Sequence, residues 1–215
     1  MTALHPRFRP TARFLAVLRG RINEHFTGEP TSGTAAMARK AVLSLVWFAV
    51  SLAVLLTADP LWLKLAAALS WGVAAAAVGF NIFHDAVHGS LSASRRVNRI
   101  VAVAVCFLLG PSRFLWIQKH HVFHHRYTNI HEWDDDVETR GFLRMTPSQG
   151  WRWPHRFQVL TCPLVYAFST VEWFFVKDFK QYFSGKLNPY LAVPRMTPAQ
   201  HVEFWVGQAL YGAAV

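Results

Sequence analysis

Two long apolar runs, separated by one short break, constrain the fold of this chain more than any other feature of its sequence. Residues Ala41–Ala58 carry no charged side chain, and Leu61–Phe83 carry only that of Lys64. Each run has about the 20 residues that a helix needs to cross a bilayer, and Lys64 is close enough to the end of its run to reach the headgroups. Because Asp59-Pro60 interrupts the helical pattern, the sequence predicts a transmembrane hairpin over residues 41–83.

Basic side chains are distributed unevenly around this hairpin. Lysine and arginine number seven in residues 1–40, one in the connection between the runs, and ten between His84 and Arg156. The positive-inside rule therefore predicts that both ends of the hairpin are cytoplasmic. The net charge is +10, but the basic residues flank apolar runs instead of forming one patch with exposed aromatic side chains. Membrane lipids are thus an expected partner, and nucleic acid is not.

The rest of the chain is also predicted to be helical, which makes the fold class all-α, an integral-membrane helical protein. Residues 11–26 have the pattern of an amphipathic helix on the membrane surface, with Phe14, Leu18 and Ile22 on one face. The apolar segment Ile100–Leu109 is too short to cross a membrane, so a re-entrant or interfacial helix is expected there. Val159–Val176 contains Glu172 and Pro163, which favours an interfacial helix over a full span.

These segments are expected to form one domain over residues 1–215. Its parts would be an interfacial helix and linker (1–40), the transmembrane hairpin (41–83), a cytoplasmic histidine-rich helical cap (84–158), and further membrane or interfacial helices (159–215). The last apolar segment reaches Val215 without a cap or a polar tail, which predicts that the sequence is truncated.

Six of the eleven histidines form three pairs at a spacing of four residues. The pairs are His84 with His88, His120 with His124, and His121 with His125. Side chains four residues apart lie on one face of a helix and can bind a single ion. Imidazoles with nearby carboxylates and no thiolate suit iron, copper or zinc. We interpret four other histidines as hydrogen-bonded structural residues, namely His5, His25, His155 and His201, and leave the role of His131 open.

Carboxylates lie next to both groups of histidines. Asp85 follows His84, and the run Asp134, Asp135, Asp136 and Glu138 lies shortly after His125. A ligating histidine usually donates its second ring N–H to such a group. The alternative is that the acidic run is a solvated turn that follows a basic helix, and the sequence alone leaves both interpretations open. Cys106 and Cys162 are single and surrounded by apolar residues, so we expect them to fill space in the core.

Two of these segments resemble a known family. HDAVHG (His84–Gly89) and HHVFHHRYTNIHEWDDD (His120–Asp136) are similar to the first two histidine boxes of integral-membrane fatty-acid desaturases, in particular the bacterial acyl-lipid or linoleoyl-CoA type. The segments RVNRI (Arg96–Ile100) and VKDFKQYFSGKL (Val176–Leu187) add to the likeness.

The resemblance implies an enzyme that uses two irons, O2 and two electrons to introduce a cis double bond into an acyl chain. It further implies an acyl-lipid or acyl-CoA substrate, a separate ferredoxin or small haem protein as electron donor, and a bacterial inner membrane. A hydroxylase or ketolase with the same ligands is one alternative. A non-catalytic membrane metal-binding subunit, whose site is completed by another chain, is a second.

The resemblance also assigns residues. The implied iron ligands are His84, His88, His120, His124 and His125, with His121 as the alternative to His120. The residues expected to support these ligands are Asp85, Asn129, Asp134, Asp135 and Asp136. A third box, HxxHH or QxxHH, does not occur before Val215. We therefore expect an N-terminal portion of such an enzyme that is inactive by itself.

Overall fold

Helices make up almost all of the regular structure in this computed structural model, which describes residues 12–139, 141–188 and 191–214. Within those ranges the one element that is not helical is an isolated antiparallel bridge between Lys186 and Ala192. The α-helices are, in chain order, α1 (Ala12–His25), α2 (Ala35–Thr57), α3 (Leu61–Val78), α4 (Asp85–Val87), α5 (Arg95–Leu109), α6 (Arg113–Trp116), α7 (His125–Tyr127), α8 (Gln158–Glu172), α9 (Asp178–Ser184) and α10 (Pro198–Ala214). An all-α fold was predicted, and it is confirmed.

Five shorter helical segments interrupt or follow these α-helices. Three are π-helices, in which the backbone hydrogen bonds join residues five apart and the turn is wider. They are π1 (Gly79–His84), π2 (Ile117–His124) and π3 (Trp173–Lys177), and the other two segments are 3-10 turns at Asp135–Val137 and Trp153–Phe157. Each π-helix continues directly into a short α-helix, so α4, α7 and α9 are extensions of π1, π2 and π3.

The predicted hairpin is formed by α2 and α3. The Thr34 side chain caps α2 by accepting a hydrogen bond from the Met37 N–H, so the helix begins six residues before the apolar run. It ends at Thr57, and Pro60 precedes the first residue of α3, where its fixed φ suits the start of a helix. Two helices, Ala35–Thr57 and Leu61–Val87, are each long and apolar enough to cross a membrane.

A small set of polar contacts joins the two helices of the hairpin. The Trp47 indole N–H donates to Ser70 Oγ at 3.0 Å, and the Ser51 and Ser70 hydroxyl groups lie 2.8 Å apart. Nearer the end of the second helix, the Asn81 amide donates to Ser44 Oγ at 3.2 Å. Small and hydroxyl-bearing residues of this kind let apolar helices approach closely and bind each other by hydrogen bonds.

The chain divides into two compact units, of which the first, the hairpin unit, ends at Val105 and the second begins at Cys106. The second unit, here called the histidine-helix unit, has an aromatic core. Its buried members are Phe114, Leu115, Tyr127, Trp133, Leu187, Leu191 and Phe204. Since Phe114 and Leu115 precede π2 and Tyr127 ends α7, this core holds the histidine-bearing helix at both of its ends.

The remaining helices occur where the sequence predicted them. Helix α1 exposes Phe14, Leu18 and Ile22. Helix α5 ends at Leu109 after 15 residues, and α8 includes Pro163 and ends at Glu172. Their placement at a membrane interface stays a prediction, as does the arrangement of the chain as one domain. Both cysteines are unpaired, and Cys106 is buried. His5 lies outside the described residues.

Candidate metal centre

The first histidine pair lies at the end of the second apolar helix. His84 is the last residue of π1, and His88 follows α4. The two rings lie 4.4 Å apart between centroids, and the His88 N–H donates to the His84 carbonyl at 3.0 Å. A spacing of four residues thus places both imidazoles on one face, at the point where a candidate membrane span reaches its end.

The second group of histidines lies on one continuous helix formed by π2 and α7. His120, His121 and His124 belong to its π-helical part, a detail that the spacing of four residues did not predict. The wider turn places the His120 ring 5.0 Å from that of His124 and also 5.0 Å from that of His125. His121 lies 6.0 Å from His125 and is exposed. The π-turn therefore groups His120 with both later histidines on one face.

Carboxylates of the acidic run contact the same ring nitrogen, Nδ1, of two of these histidines. His124 Nδ1 lies 2.9 and 3.0 Å from the two oxygens of Asp134, and His120 Nδ1 lies 3.1 Å from Asp136 Oδ2. When Nδ1 carries the proton and donates it to a carboxylate, Nε2 keeps its lone pair and is the atom that can bind a metal ion.

Asp134 is held in place by the backbone of its own turn. Its side chain is fully buried and accepts hydrogen bonds from the N–H of Asn129 at 2.7 Å and of Asp136 at 3.0 Å. Asn129 adopts a left-handed conformation with φ of 61°, which Asn tolerates better than most residues. The contribution of Asn129 to the site is thus a backbone N–H and a turn.

The other acidic candidates point elsewhere. Asp135 pairs with Lys177 at 2.8 Å. Asp85 accepts a hydrogen bond from Lys40 at 2.6 Å and is 3.7 Å from His84 Nδ1, which is too long for a hydrogen bond. Of the three consecutive aspartates, Asp134 and Asp136 contact histidines, whereas Asp135 contacts Lys177.

Asp136 keeps its negative charge in this environment. Burial alone would raise the pKa of Asp136, yet the hydrogen bond from His120 and the positive charge of neighbouring side chains hold it below its usual value. An ionised carboxylate is the stronger acceptor for an imidazole N–H. Asp136 is therefore suited to hold the His120 ring.

The donor atoms of this cluster fit a metal ion. One ligand atom from each of His120, His124 and Asp136 lies within 4.8 Å of the others. Since Asp136 Oδ2 lies 3.1 Å from His120 Nδ1 and 3.3 Å from His124 Nδ1, the carboxylate supports the rings, and the imidazole Nε2 atoms are left to bind the ion. Imidazole ligands suit iron and related transition metals, whereas calcium and magnesium prefer oxygen ligands. The described residues thus supply a chemically suitable site in the histidine-helix unit.

The other histidines have ordinary structural contacts. His155 is buried, accepts a hydrogen bond from the Arg152 N–H and contacts the Gly141 carbonyl, both at 3.0 Å. His201 lies 2.7 Å from the Tyr182 hydroxyl, and His131 is 3.4 Å from Glu138. The interpretation as a hydrogen-bonded core residue is confirmed for His155. His201 is hydrogen-bonded but exposed, and His25 is also exposed, so neither of these two lies in the core.

A buried ion pair, which was not predicted from the sequence, lies next to the histidines. Lys119 directly precedes His120, and its ammonium group lies 3.0 Å from Asp178 Oδ1, with both side chains almost fully buried. A lysine within an otherwise apolar and aromatic helix turn was a detectable feature, because lysine is rarely buried unless it is paired. Its partner, 59 residues later, could not be identified from spacing.

The chain is similar in sequence to a known protein family and to several of its curated members. A family model described as fatty acid desaturase matches residues 60–214, which is more than half of the chain. The chain is 34% identical over 163 residues to the sn-1 linoleoyl-lipid 6-desaturase of Arthrospira platensis, a match that covers 74% of this chain and 44% of the relative. Against the sn-1 linoleoyl-lipid 6-desaturase of Synechocystis sp., the identity is 29% over 197 residues, covering 90% and 55%.

A third relative comes from a plant. The chain is 34% identical over 146 residues to the acyl-lipid (8-3)-desaturase of Physcomitrium patens, covering 67% of this chain and 30% of the relative. The chain thus spans between about a third and just over half of the length of these curated relatives. No solved structure matches it.

Proposed function

This chain belongs to the fatty acid desaturase family, and from that premise we propose that it carries iron-binding histidines of an enzyme that introduces a cis double bond into an acyl chain. The observation that carries the proposal is the pair of hydrogen bonds that Nδ1 of His124 and of His120 donate to the carboxylates of Asp134 and Asp136. Such bonds fix the tautomer and the ring orientation that metal ligation requires. A structural histidine needs no such paired support.

The proposed ligands are those that the sequence resemblance implied. They are His84, His88, His120, His124 and His125, with His121 as the alternative to His120. The close ring contacts within each group support this assignment. The exposed position of His121, compared with the half-buried His120, favours His120 as the ligand.

The metal and the protein would have separate roles in the reaction. Two bound irons, with O2 as co-substrate and two electrons, would supply the oxidising power needed to remove hydrogen from an unactivated acyl chain. The chain's own residues orient the ligands, because Asp134 and Asp136 accept hydrogen bonds from Nδ1–H of His124 and His120. Because Asp134 is fully buried, water does not compete for that hydrogen bond, and the ring stays in one orientation.

The substrate and partners are proposed at the level of chemical class. The relatives are named for acting on lipid-linked acyl chains, which favours an acyl-lipid substrate over acyl-CoA. A ferredoxin or a small haem protein is proposed as the separate electron donor. The distribution of lysine and arginine supports cytoplasmic histidines at a bacterial inner membrane.

The test is analysis of lipids from bacterial cells that express the complete open reading frame containing this sequence. Cells are fed saturated and monounsaturated fatty acids, and the lipids are examined by mass spectrometry. We expect a new double bond with the wild-type protein, none with His124→Ala, and an unchanged product with His25→Ala, which replaces an exposed histidine of α1. Absence of a new double bond while two irons are bound per chain would contradict the proposal. An oxygenated product would instead assign a hydroxylase or ketolase.

A further inference from the structure

Two adjacent residues of opposite charge, Lys177 and Asp178, lie where π3 meets α9. Both residues belong to the segment VKDFKQYFSGKL (Val176–Leu187). Neighbouring side chains of a helix point in different directions, so two consecutive charges can contact two different segments of a protein. Here both of the contacted segments carry residues of the candidate metal centre.

Asp178 contacts the segment that precedes the histidines. Its side chain is fully buried, and its Oδ1 accepts hydrogen bonds from the Lys119 ammonium group at 3.0 Å and from the Trp173 indole at 2.9 Å. Its Oδ2 accepts one from the Ser112 N–H at 2.7 Å. One carboxylate therefore binds the start of α6 through Ser112 and the residue next to His120 through Lys119. The Lys119 ammonium group also lies 4.9 Å from the centre of a Trp173 ring, a favourable cation–π distance.

Lys177 contacts the acidic turn. Its ammonium group lies 2.8 Å from Asp135 Oδ2, and Asp135 is mostly buried while Lys177 is partly exposed. Asp135 lies between Asp134 and Asp136, whose carboxylates contact His124 and His120. Asp135 thus pairs with Lys177, while the residues on either side of it contact the histidines.

We propose that Lys177 and Asp178 act together as positioning residues for the metal ligands, with Asp178 holding the ligand-bearing helix through Lys119 and Lys177 holding the carboxylate turn through Asp135. One dipeptide thereby fixes both the helix that carries the imidazoles and the turn that carries the carboxylates. The identity of the metal as iron rests on the proposed function, but the positioning role does not. They act on the ligands through Lys119 and through the acidic turn.

The experiment uses Co²⁺ as the probe, titrated into the full chain in lipid nanodiscs, with affinity and the visible absorption spectrum of the bound ion as readouts. The charge swaps Lys177→Asp and Asp135→Lys are each expected to weaken Co²⁺ binding about 10-fold or more, the range found when residues that orient metal ligands are changed. Each is also expected to alter the spectrum, which reports ligand geometry. The double swap restores the ion pair and is expected to recover most of the lost affinity.

A matched control separates positioning from general stability. Gln158 makes two hydrogen bonds to the backbone of Arg144 in the same unit, at 2.9 and 3.2 Å, and neither residue belongs to the helix Arg113–Tyr127 or to the acidic turn. Gln158→Ala is expected to lower the melting temperature and leave both Co²⁺ readouts unchanged. Asp178→Asn tests the buried contact between Asp178 and Lys119. If that variant does not fold, the variants of the partly exposed Lys177 still test the proposal.

The proposal is overturned if the Lys177 swap lowers the melting temperature while the Co²⁺ affinity and spectrum stay at the wild-type values, or if the double swap shows no recovery. Failure of the proposed function would look different. In that case lipid analysis would show no new double bond, while the swaps would still change Co²⁺ binding.

Discussion

The two histidine-bearing segments share one local design but are held in place by different means. In both, a π-helix runs into a three-residue α-helix, at Gly79–Val87 and at Ile117–Tyr127. Around the first, the neighbouring carboxylate of Asp85 bonds to Lys40, whose side chain is 42% exposed. Around the second, Asp134 is fully buried and fixed by two backbone N–H groups.

The difference shows two ways of orienting a metal ligand. His84 and His88 are placed by the continuation of a long apolar helix, Leu61–Val87, so their position follows from local geometry. His120 and His124 depend on residues far away in sequence, because the acidic turn and the ion pair of Lys119 come from other parts of the fold. We therefore expect substitutions of carboxylates to have unequal effects at the two segments.

The largest difference is expected between Asp134→Ala and Asp85→Ala. Removing the buried Asp134 carboxylate removes the acceptor of two backbone N–H groups, and because hydrogen bonds to a charged group contribute about 1.5–3 kcal/mol each, we expect a loss of about 2 kcal/mol or more of folding free energy. It also releases the His124 ring, so metal affinity should fall about 10- to 100-fold. Asp85→Ala removes a partly exposed ion pair, in which the Lys40 side chain is 42% exposed, and should cost about 1 kcal/mol or less.

Chemical unfolding in nanodiscs and Co²⁺ titration of the same two variants measure both quantities. Equal losses of folding free energy and Co²⁺ affinity for the two variants would contradict this account, because they would show that both segments depend equally on their carboxylates.

A smaller contrast is expected within the second segment, between His120→Ala and His121→Asn. The π-turn groups His120 with His124 and His125, and Asp136 supports it, so His120→Ala should reduce the number of bound metal ions. His121 is exposed, and His121→Asn should leave that number unchanged. Metal content by elemental mass spectrometry distinguishes the two. The opposite result would assign the ligand to His121.

The smallest effect is expected from Ser70→Ala in the hairpin. This change removes the acceptor of the Trp47 indole and the partner of Ser51, while both helices remain. Hydrogen bonds between membrane helices contribute about 0.6 kcal/mol each, so a small loss of stability and an unchanged Co²⁺ affinity should result. A loss of metal binding would show that His84 and His88 depend on hairpin contacts, contrary to placement by local helix geometry.

The sequence predicted those parts of the fold that depend on local pattern. Apolar runs and Asp59-Pro60 gave the hairpin, because a bilayer restricts spanning segments to long apolar helices. The spacing of the histidines indicated their grouping. It did not indicate the π-helices, since a helix with one wider turn keeps nearly the same pattern of apolar residues.

Contacts between distant segments were beyond prediction from one sequence. Asp134, Asp135 and Asp136 are identical in type and consecutive, and only the folded positions of His124, Lys177 and His120 distinguish them. The pair Lys119 and Asp178 has no periodic pattern that joins its members. Tertiary packing, and not local propensity, decides such pairs.

The central claim is that Nδ1–H of His124 and of His120 donates to the carboxylates of Asp134 and Asp136, so that Nε2 of each ring binds the metal. It is tested most directly by NMR of the ¹⁵N-histidine-labelled chain loaded with Zn²⁺, with each signal assigned by the loss that follows a single His→Ala substitution. The account predicts a protonated Nδ1 and a metal-bound Nε2 for both residues. A metal-bound Nδ1, or signals of His120 and His124 that do not change when Zn²⁺ is added, would contradict it.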